Sequence, residues 1–251
     1  MRLNISKLLK LSKERKIVAL TSYTANIARI TDNHADVLLV GDSVGMVLYG
    51  LPSTQGVSLE MMLNHGKAVV SASAKAFIVV DMPFGSYESS PQVAFENAAK
   101  VLSFTGCGAI KLEGGAEMAE TIKFLTQRGV PVMAHVGLMP QKFKIKGSFS
   151  KEKDAEKVIK DFEAVVEAGA FSVVLENISE EISEKIASIF PDVLTIGIGA
   201  GKSVKGQIAV FEDLAGLSGE SIPPFYSKIQ NLAQNIEDVC KAYKLDILAK
   251  G

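Results

Sequence analysis

Five apolar runs in this chain end in a residue that can carry charge or move a proton. Val37-Leu38-Leu39-Val40-Gly41 runs into Asp42, and Phe77-Ile78-Val79-Val80 into Asp81. Ala109-Ile110-Lys111-Leu112 runs into Glu113, and Phe171-Ser172-Val173-Val174-Leu175 into Glu176. Val130-Pro131-Val132-Met133-Ala134 ends in His135. Short apolar runs separated by helix-length polar segments read as buried parallel strands. The carboxyl ends of such strands open onto the active site, so these acids face one shared cleft. Anions held close together repel, and such a cluster holds a cation or shifts a pKa.

Each position carries its own chemistry beside an ordinary structural alternative. Asp42 lies between glycines in Gly41-Asp42-Ser43-Val44-Gly45, where the backbone can approach a ligand and Ser43 adds a hydroxyl. The alternative is a tight turn with an Asx cap. With Asp81 at the neighbouring strand end, the pair suits a hard divalent cation such as Mg2+, which uses one or two protein carboxylates and keeps several waters. As a plain structural residue, Asp81 would cap a turn or helix. Lys111 and Glu113 are two apart on a strand and point to the same side, toward the interior. A buried Lys there needs an anion, either Glu113 in a structural ion pair or a substrate carboxylate. His135 is either a hydrogen-bonded structural residue or a donor to a substrate oxygen. Glu176, in an apolar mouth, is expected to have a raised pKa and act as a general base. Its ordinary alternative is an acid facing the dipole of the helix that follows. Ile196-Gly197-Ile198-Gly199-Ala200-Gly201 could form a phosphate-binding turn, or simply a close backbone contact.

Stepping from residues to elements, an N-terminal helix is expected over 7–16 and a first strand over 17–20. Helices follow over 25–33, 58–74, 91–104, 116–127, 153–168 and 179–189. Strand seven spans 193–198, an eighth strand 207–211, and a terminal helix 231–243. Ser58 and Ser90 are placed as N-caps, with Pro91 in the first turn. The 142–153 stretch, rich in Lys, is expected to be a loop that could act as a lid. Strand ends recur every roughly 20–40 residues, near the length of a βαβ unit. This pattern predicts a (β/α)8 barrel forming one domain over 1–251 and capped by an N-terminal helix. An open doubly wound sheet is the alternative, but no Gly-x-Gly-x-x-Gly follows the first strand.

At 251 residues and 47% hydrophobic, the chain can bury a large core. A net charge of −1 gives no support for nucleic-acid binding. No apolar stretch is long enough to span a membrane. Met1–Lys16 lacks the apolar core of a secretory signal, and two cysteines make no disulfide framework. A cytoplasmic protein is expected.

Six co-ordered motifs together resemble the ketopantoate hydroxymethyltransferase family. They are Leu39-Val40-Gly41-Asp42-Ser43-Val44-Gly45-Met46, Asp81-Met82-Pro83-Phe84, Ala94-Phe95-Glu96-Asn97-Ala98, Lys111-Leu112-Glu113-Gly114-Gly115, His135 through Gln141, and Ile196 through Gly201 with Gly206-Gln207. The likeness runs from about residue 17 to 226. It implies a barrel of the phosphoenolpyruvate/isocitrate-lyase type, working as a homo-oligomer, usually a decamer. It implies transfer of a hydroxymethyl group from 5,10-methylenetetrahydrofolate to 3-methyl-2-oxobutanoate, giving 2-dehydropantoate through a Mg2+-stabilised enolate in pantothenate synthesis. By the same likeness Asp42 and Asp81 bind the metal and Glu113 joins its shell. Ser43 and Lys111, with Asp42 and Asp81, bind the keto acid, Glu176 is the base, and His135 lies beside the substrate. The chain departs from the family pattern at Thr24, where Asp is usual, at Lys205, and in a shorter stretch after Gln141.

Two other functions are open. A related Mg2+-dependent barrel lyase acting on another 2-oxo acid would use the same chemistry, but usually with a Cys in a mobile loop, where neither Cys107 nor Cys240 falls. A non-catalytic barrel that only binds a keto acid would have lost its acids, and they are present.

Overall fold

A computed structural model describes residues 2–142, 154–218 and 229–250. The candidate lid is therefore outside the described residues except for Lys142. Eight parallel strands close into a barrel in chain order: β1 (Ile17–Thr21), β2 (Val37–Val40), β3 (Phe77–Asp81), β4 (Ala109–Glu113), β5 (Val132–Gly137), β6 (Ser172–Glu176), β7 (Leu194–Ile198) and β8 (Gly206–Ala209). The helices are α1 (Ile5–Glu14), α2 (Ala25–Thr31), α3 (Val44–Tyr49), α4 (Leu59–Ala72), α5 (Pro91–Thr105), α6 (Ala119–Thr126), α7 (Ala155–Glu167), α8 (Glu180–Ile189), α9 (Phe211–Ala215) and α10 (Leu232–Leu248). The expected (β/α)8 barrel is the observed architecture.

Strand parity sorts the side chains. Leu38, Val40, Ile78, Val80, Ile110 and Leu112 face outward into one apolar cluster with the helices. Val37, Leu39, Phe77, Val79 and Ala109 face inward into a second cluster that fills the barrel axis. Leu8 of α1 is fully buried in that inner cluster, and the Leu3 N–H donates to Lys75 O at 2.8 Å just before β3. The amphipathic α1 thus closes the end where the strands begin. Ser58 and Ser90 cap α4 and α5 as expected.

Three local expectations are corrected. The eighth strand ends at Ala209, and Phe211 opens α9 instead of closing a strand. The Asp42 turn continues directly into α3, a six-residue helix that glycine at 45 had hidden as loop. The first turn of the helix expected from Ala116 is a separate tight turn, Ala116–Met118, before α6.

The chain forms two compact units, Met1–Ile208 and Ala209–Gly251. In the second, Gly216 (φ 72°) ends α9, and Asn231 caps α10, accepting from the Gln234 N–H at 3.4 Å. No residue of α10 is buried.

Candidate active site

Continuing the inward parity along each strand gives the site. Phe77 and Val79 are followed by Asp81, Ala109 by Lys111 and Glu113, Met133 by His135, and Val174 by Glu176. Apolar side chains fill the lower barrel, and the inward side chains toward the carboxyl ends of β3 to β6, Asp81, Lys111, Glu113, His135 and Glu176, are ionisable. Parallel register sets them side by side: Asp81 lies opposite Lys111, and Glu113 opposite His135. β5 runs two residues beyond His135, and its Gly137 lies opposite Glu176.

Asp42, in the turn after β2, joins this group through its backbone. Its N–H donates to Asp81 Oδ2 at 3.1 Å. Glycine at 41 permits the approach, because a Cβ there would sit 2.9 Å from Ser43 Oγ. The Asp42 carboxylate caps nothing, and its Oδ2 accepts from Gln141 Nε2 at 2.8 Å. Ser43 makes no capping bond, and its Oγ lies 2.8 Å from Tyr23 Oη.

Lys111 does not pair with Glu113. Its Nζ lies 3.0 Å from Asp81 Oδ1, with both side chains buried. Glu113 is committed elsewhere: Oε2 accepts from the Gln141 N–H at 3.0 Å, and Oε1 lies 3.5 Å from His135 Nδ1. The other imidazole nitrogen of His135, Nε2, is 3.2 Å from Glu176 Oε2. Neither contact is an aligned hydrogen bond, so the coupling is chiefly electrostatic. The Glu176 carboxylate lies against His135, and the cap of α8 is Ser179, which accepts from the Ile182 N–H. Asn177, at φ 51°, turns the chain immediately after Glu176, a left-handed conformation that Asn tolerates better than most residues.

Burial and like charges shape the electrostatics. Burial, then Asp81 and Glu113, push Asp42 up to about 7. Burial also raises Asp81, against the pull of Lys111. Burial would lower Lys111, but Asp81, Asp42 and Glu113 together raise it, so it stays cationic. Burial would likewise lower His135, but Glu113 and Glu176 hold it up at about 9. Glu113 is lowered overall, because His135 and Lys111 outweigh its burial. The result is two cations threaded between four carboxylates: Asp42, Asp81–Lys111, Glu113–His135–Glu176.

This set fits a divalent cation at Asp42 and Asp81. Two carboxylates raised chiefly by burial are relieved by a positive ion. Two protein oxygens suit Mg2+, which retains most of its waters. Among the described residues no group of three His, Cys, Asp or Glu converges into a cage. With both Glu113 oxygens engaged by protein, its contact with such an ion would run through water.

Sequence reasoning assigned no role to Gln141, Tyr87 or Tyr23. Gln141 stood in a quoted motif, and Tyr87 carried no motif signal. Of the departures from the family pattern, the stretch at 146–149 lies outside the described residues, and the other two fall away from the mouth or are conservative. Thr24 caps α2, accepting from the Ile27 N–H at 3.3 Å, as an Asp could. Lys205 precedes β8 and its carbonyl accepts from the Ile17 N–H, at the opposite barrel end. Cys107 is buried just before β4, also away from the mouth, and Cys240 is exposed on α10.

The family model for ketopantoate hydroxymethyltransferase matches residues 2–250. The 3-methyl-2-oxobutanoate hydroxymethyltransferase of Rhodospirillum rubrum is 51% identical over 238 residues, covering 93% of this chain and 85% of that protein. Among solved structures, phosphoenolpyruvate phosphomutase from Streptomyces platensis aligns with a TM-score of 0.67 at 12% identity, covering 99% of this chain and 88% of that one. A 2,3-dimethylmalate lyase of the PEP mutase/isocitrate lyase superfamily aligns at 0.62 and 15% identity, covering 99% of each chain. These two likenesses are of fold.

Proposed function

The chain belongs to the ketopantoate hydroxymethyltransferase family, and on that premise we propose that the charged cluster at the barrel mouth is the site at which it works. The enzyme transfers a hydroxymethyl group to 3-methyl-2-oxobutanoate and forms 2-dehydropantoate. The one-carbon donor is 5,10-methylenetetrahydrofolate, the metal is Mg2+, and the product enters pantothenate synthesis. What carries this reading is convergence: ionisable groups from the ends of β2 to β6 form two chains, Asp42–Asp81–Lys111 and Glu113–His135–Glu176, which Gln141 joins.

Asp42 and Asp81 would hold the Mg2+, with Glu113 reaching it through water. When bound, the ion polarises the keto oxygen and makes the neighbouring C3–H more acidic. Lys111, held cationic by Asp81, and the Ser43 hydroxyl, set by Tyr23, receive the keto-acid carboxylate. The Glu176 carboxylate removes the C3 proton. His135, cationic between Glu113 and Glu176, orients that base and offsets the negative charge that grows as the proton leaves. The resulting carbon nucleophile bonds to the one-carbon unit, water supplies the hydroxyl oxygen, and both bonds from that carbon to folate nitrogen break. Tetrahydrofolate departs with its two nitrogens carrying the proton equivalent of the C3–H and one proton of the water.

The remaining parts of the proposal are coarser. The chain operates as one domain over 1–251, in the cytoplasm, as a homo-oligomer. An assembly, on the decameric pattern implied by the family, is supported by α10, whose Ile236, Val239 and Tyr243 are exposed. The test of the activity is a coupled assay with keto acid, methylenetetrahydrofolate and Mg2+. Turnover that needs all three supports the reading, and folded protein that fails to turn over with all three contradicts it.

A further inference from the structure

Gln141 is 1% exposed and ties together five segments of the chain. Its Nε2 donates to Asp42 Oδ2 at 2.8 Å and to Met82 O at 3.0 Å. Its backbone N–H donates to Glu113 Oε2 at 3.0 Å, and its carbonyl accepts from Gln55 Nε2 at 2.8 Å. Its Oε1 accepts from Tyr87 Oη at 2.5 Å. The Tyr87 hydroxyl in turn accepts from the Glu113 N–H at 3.1 Å; of the two acceptors in its reach, Gln141 Oε1 is much closer than the Glu113 carbonyl oxygen at 3.2 Å, and the carboxamide nitrogen on the other side already serves two acceptors. That fixes which end of the carboxamide is which. The oxygen must face Tyr87 and the NH2 must face the two acceptors, so both amide protons are used.

The consequence for the two carboxylates is specific. One oxygen of Asp42 is tied by a neutral donor, which adds no charge to an already crowded anionic site. One oxygen of Glu113 is tied by the same residue's backbone, leaving the other to His135. A carboxylate with one oxygen so held has a fixed rotamer, and its remaining oxygen points in one direction. Groups that orient a metal ligand from behind typically affect metal affinity about 10–100-fold.

We infer that Gln141, oriented by Tyr87, is the positioning residue of this site: it sets the Asp42 carboxylate for a divalent cation and keeps Glu113 on His135. The inference rests on the reading of Asp42 as a cation ligand. It assigns Gln141 no contact with the reacting atoms.

The experiment is calorimetric titration of Mg2+ into the metal-free full chain, with thermal unfolding measured in parallel. Gln141→Leu keeps the backbone contacts to Glu113 and Gln55 but loses the carboxamide, and the expected result is Mg2+ affinity weaker by about tenfold. Tyr87→Phe, which removes only the orienting hydroxyl, is expected to weaken it about threefold. The half-saturating Mg2+ concentration for turnover should rise in the same order. A purely structural role would lower the melting temperature without moving Mg2+ affinity. Asp42→Asn separates the premises. If that variant binds Mg2+ like the wild type, the ligand reading itself fails and the inference falls with it. If it abolishes binding while Gln141→Leu stays within twofold of wild type, Gln141 alone is overturned. Should Gln141→Leu not fold, Tyr87→Phe decides, and unchanged affinity there overturns the inference.

Discussion

Asp42 is held at about 7 by burial and by the charges of Asp81 and Glu113, and this has a consequence for stability. A carboxylate whose pKa is raised on folding favours the folded state only while protonated. That advantage is complete below about pH 4 and is lost as pH rises through about 7. Mg2+ binds the ionised form, so its stabilising effect grows over the same interval. The expected outcome is a melting temperature that Mg2+ raises more at pH 8 than at pH 5.5, measured by thermal unfolding with and without the ion. Lys111 offers a second check. Lys111→Met leaves Asp81 and Asp42 buried without their cation, and breaking such a pair costs about 3–5 kcal/mol. Urea unfolding should register that loss, and Mg2+ should recover part of it. The candidate residues themselves were legible in the sequence, because a carboxylate or His ending an apolar run is a local signal. Their partners were not. Lys111 was expected to meet Glu113 two residues on or a substrate anion, yet it meets Asp81 thirty residues away across the β3–β4 register. Gln141 lies 99 residues from the carboxylate that it holds, and nothing local to it marks the contact.

At the scale of elements, the strands place their inward residues by parity alone, so any backbone change at a strand end moves chemistry. Gly137 adopts φ 98°, and a Cβ there would lie 2.4 Å from the Glu176 carbonyl oxygen. Gly137→Ala therefore forces β5 away from the base. Strain of this kind costs about 1–3 kcal/mol, and turnover should fall further than a change at a remote glycine of equal stability cost. Paired measurement of melting temperature and kcat, with Gly129→Ala as the control, tests this, since Gly129 is also left-handed (φ 82°) but meets nothing within 4 Å. A cap gives a milder case. Thr24→Ala should cost about 1 kcal/mol, and Thr24→Asp should cost little, because both Thr and Asp accept from the first turn of a helix. The eight strands and most helices could be read from alternating apolar and polar segments. α3 could not, because six residues with Gly in the second position give no helical period, and Phe211 was drawn into β8 because an apolar residue after a short strand extends its pattern.

At the scale of the whole molecule, the barrel is a device for bringing distant residues to one end. α1 closes the other end with Leu8, and the axis between is filled with apolar side chains. α10, with no buried residue, predicts an assembly: light scattering should give a mass several times that of one chain, and Val239→Asp with Tyr243→Asp should lower it without unfolding the barrel. The central claim is that the mouth assembles a base, Glu176, beside a cation site formed by Asp42 and Asp81. Its most direct test is exchange of the C3 proton of 3-methyl-2-oxobutanoate in D2O, followed by NMR with Mg2+ and no folate. Exchange by the wild-type enzyme, slowed at least about 100-fold in Glu176→Gln while keto-acid binding persists, is the predicted result. Exchange at the wild-type rate in Glu176→Gln would contradict it.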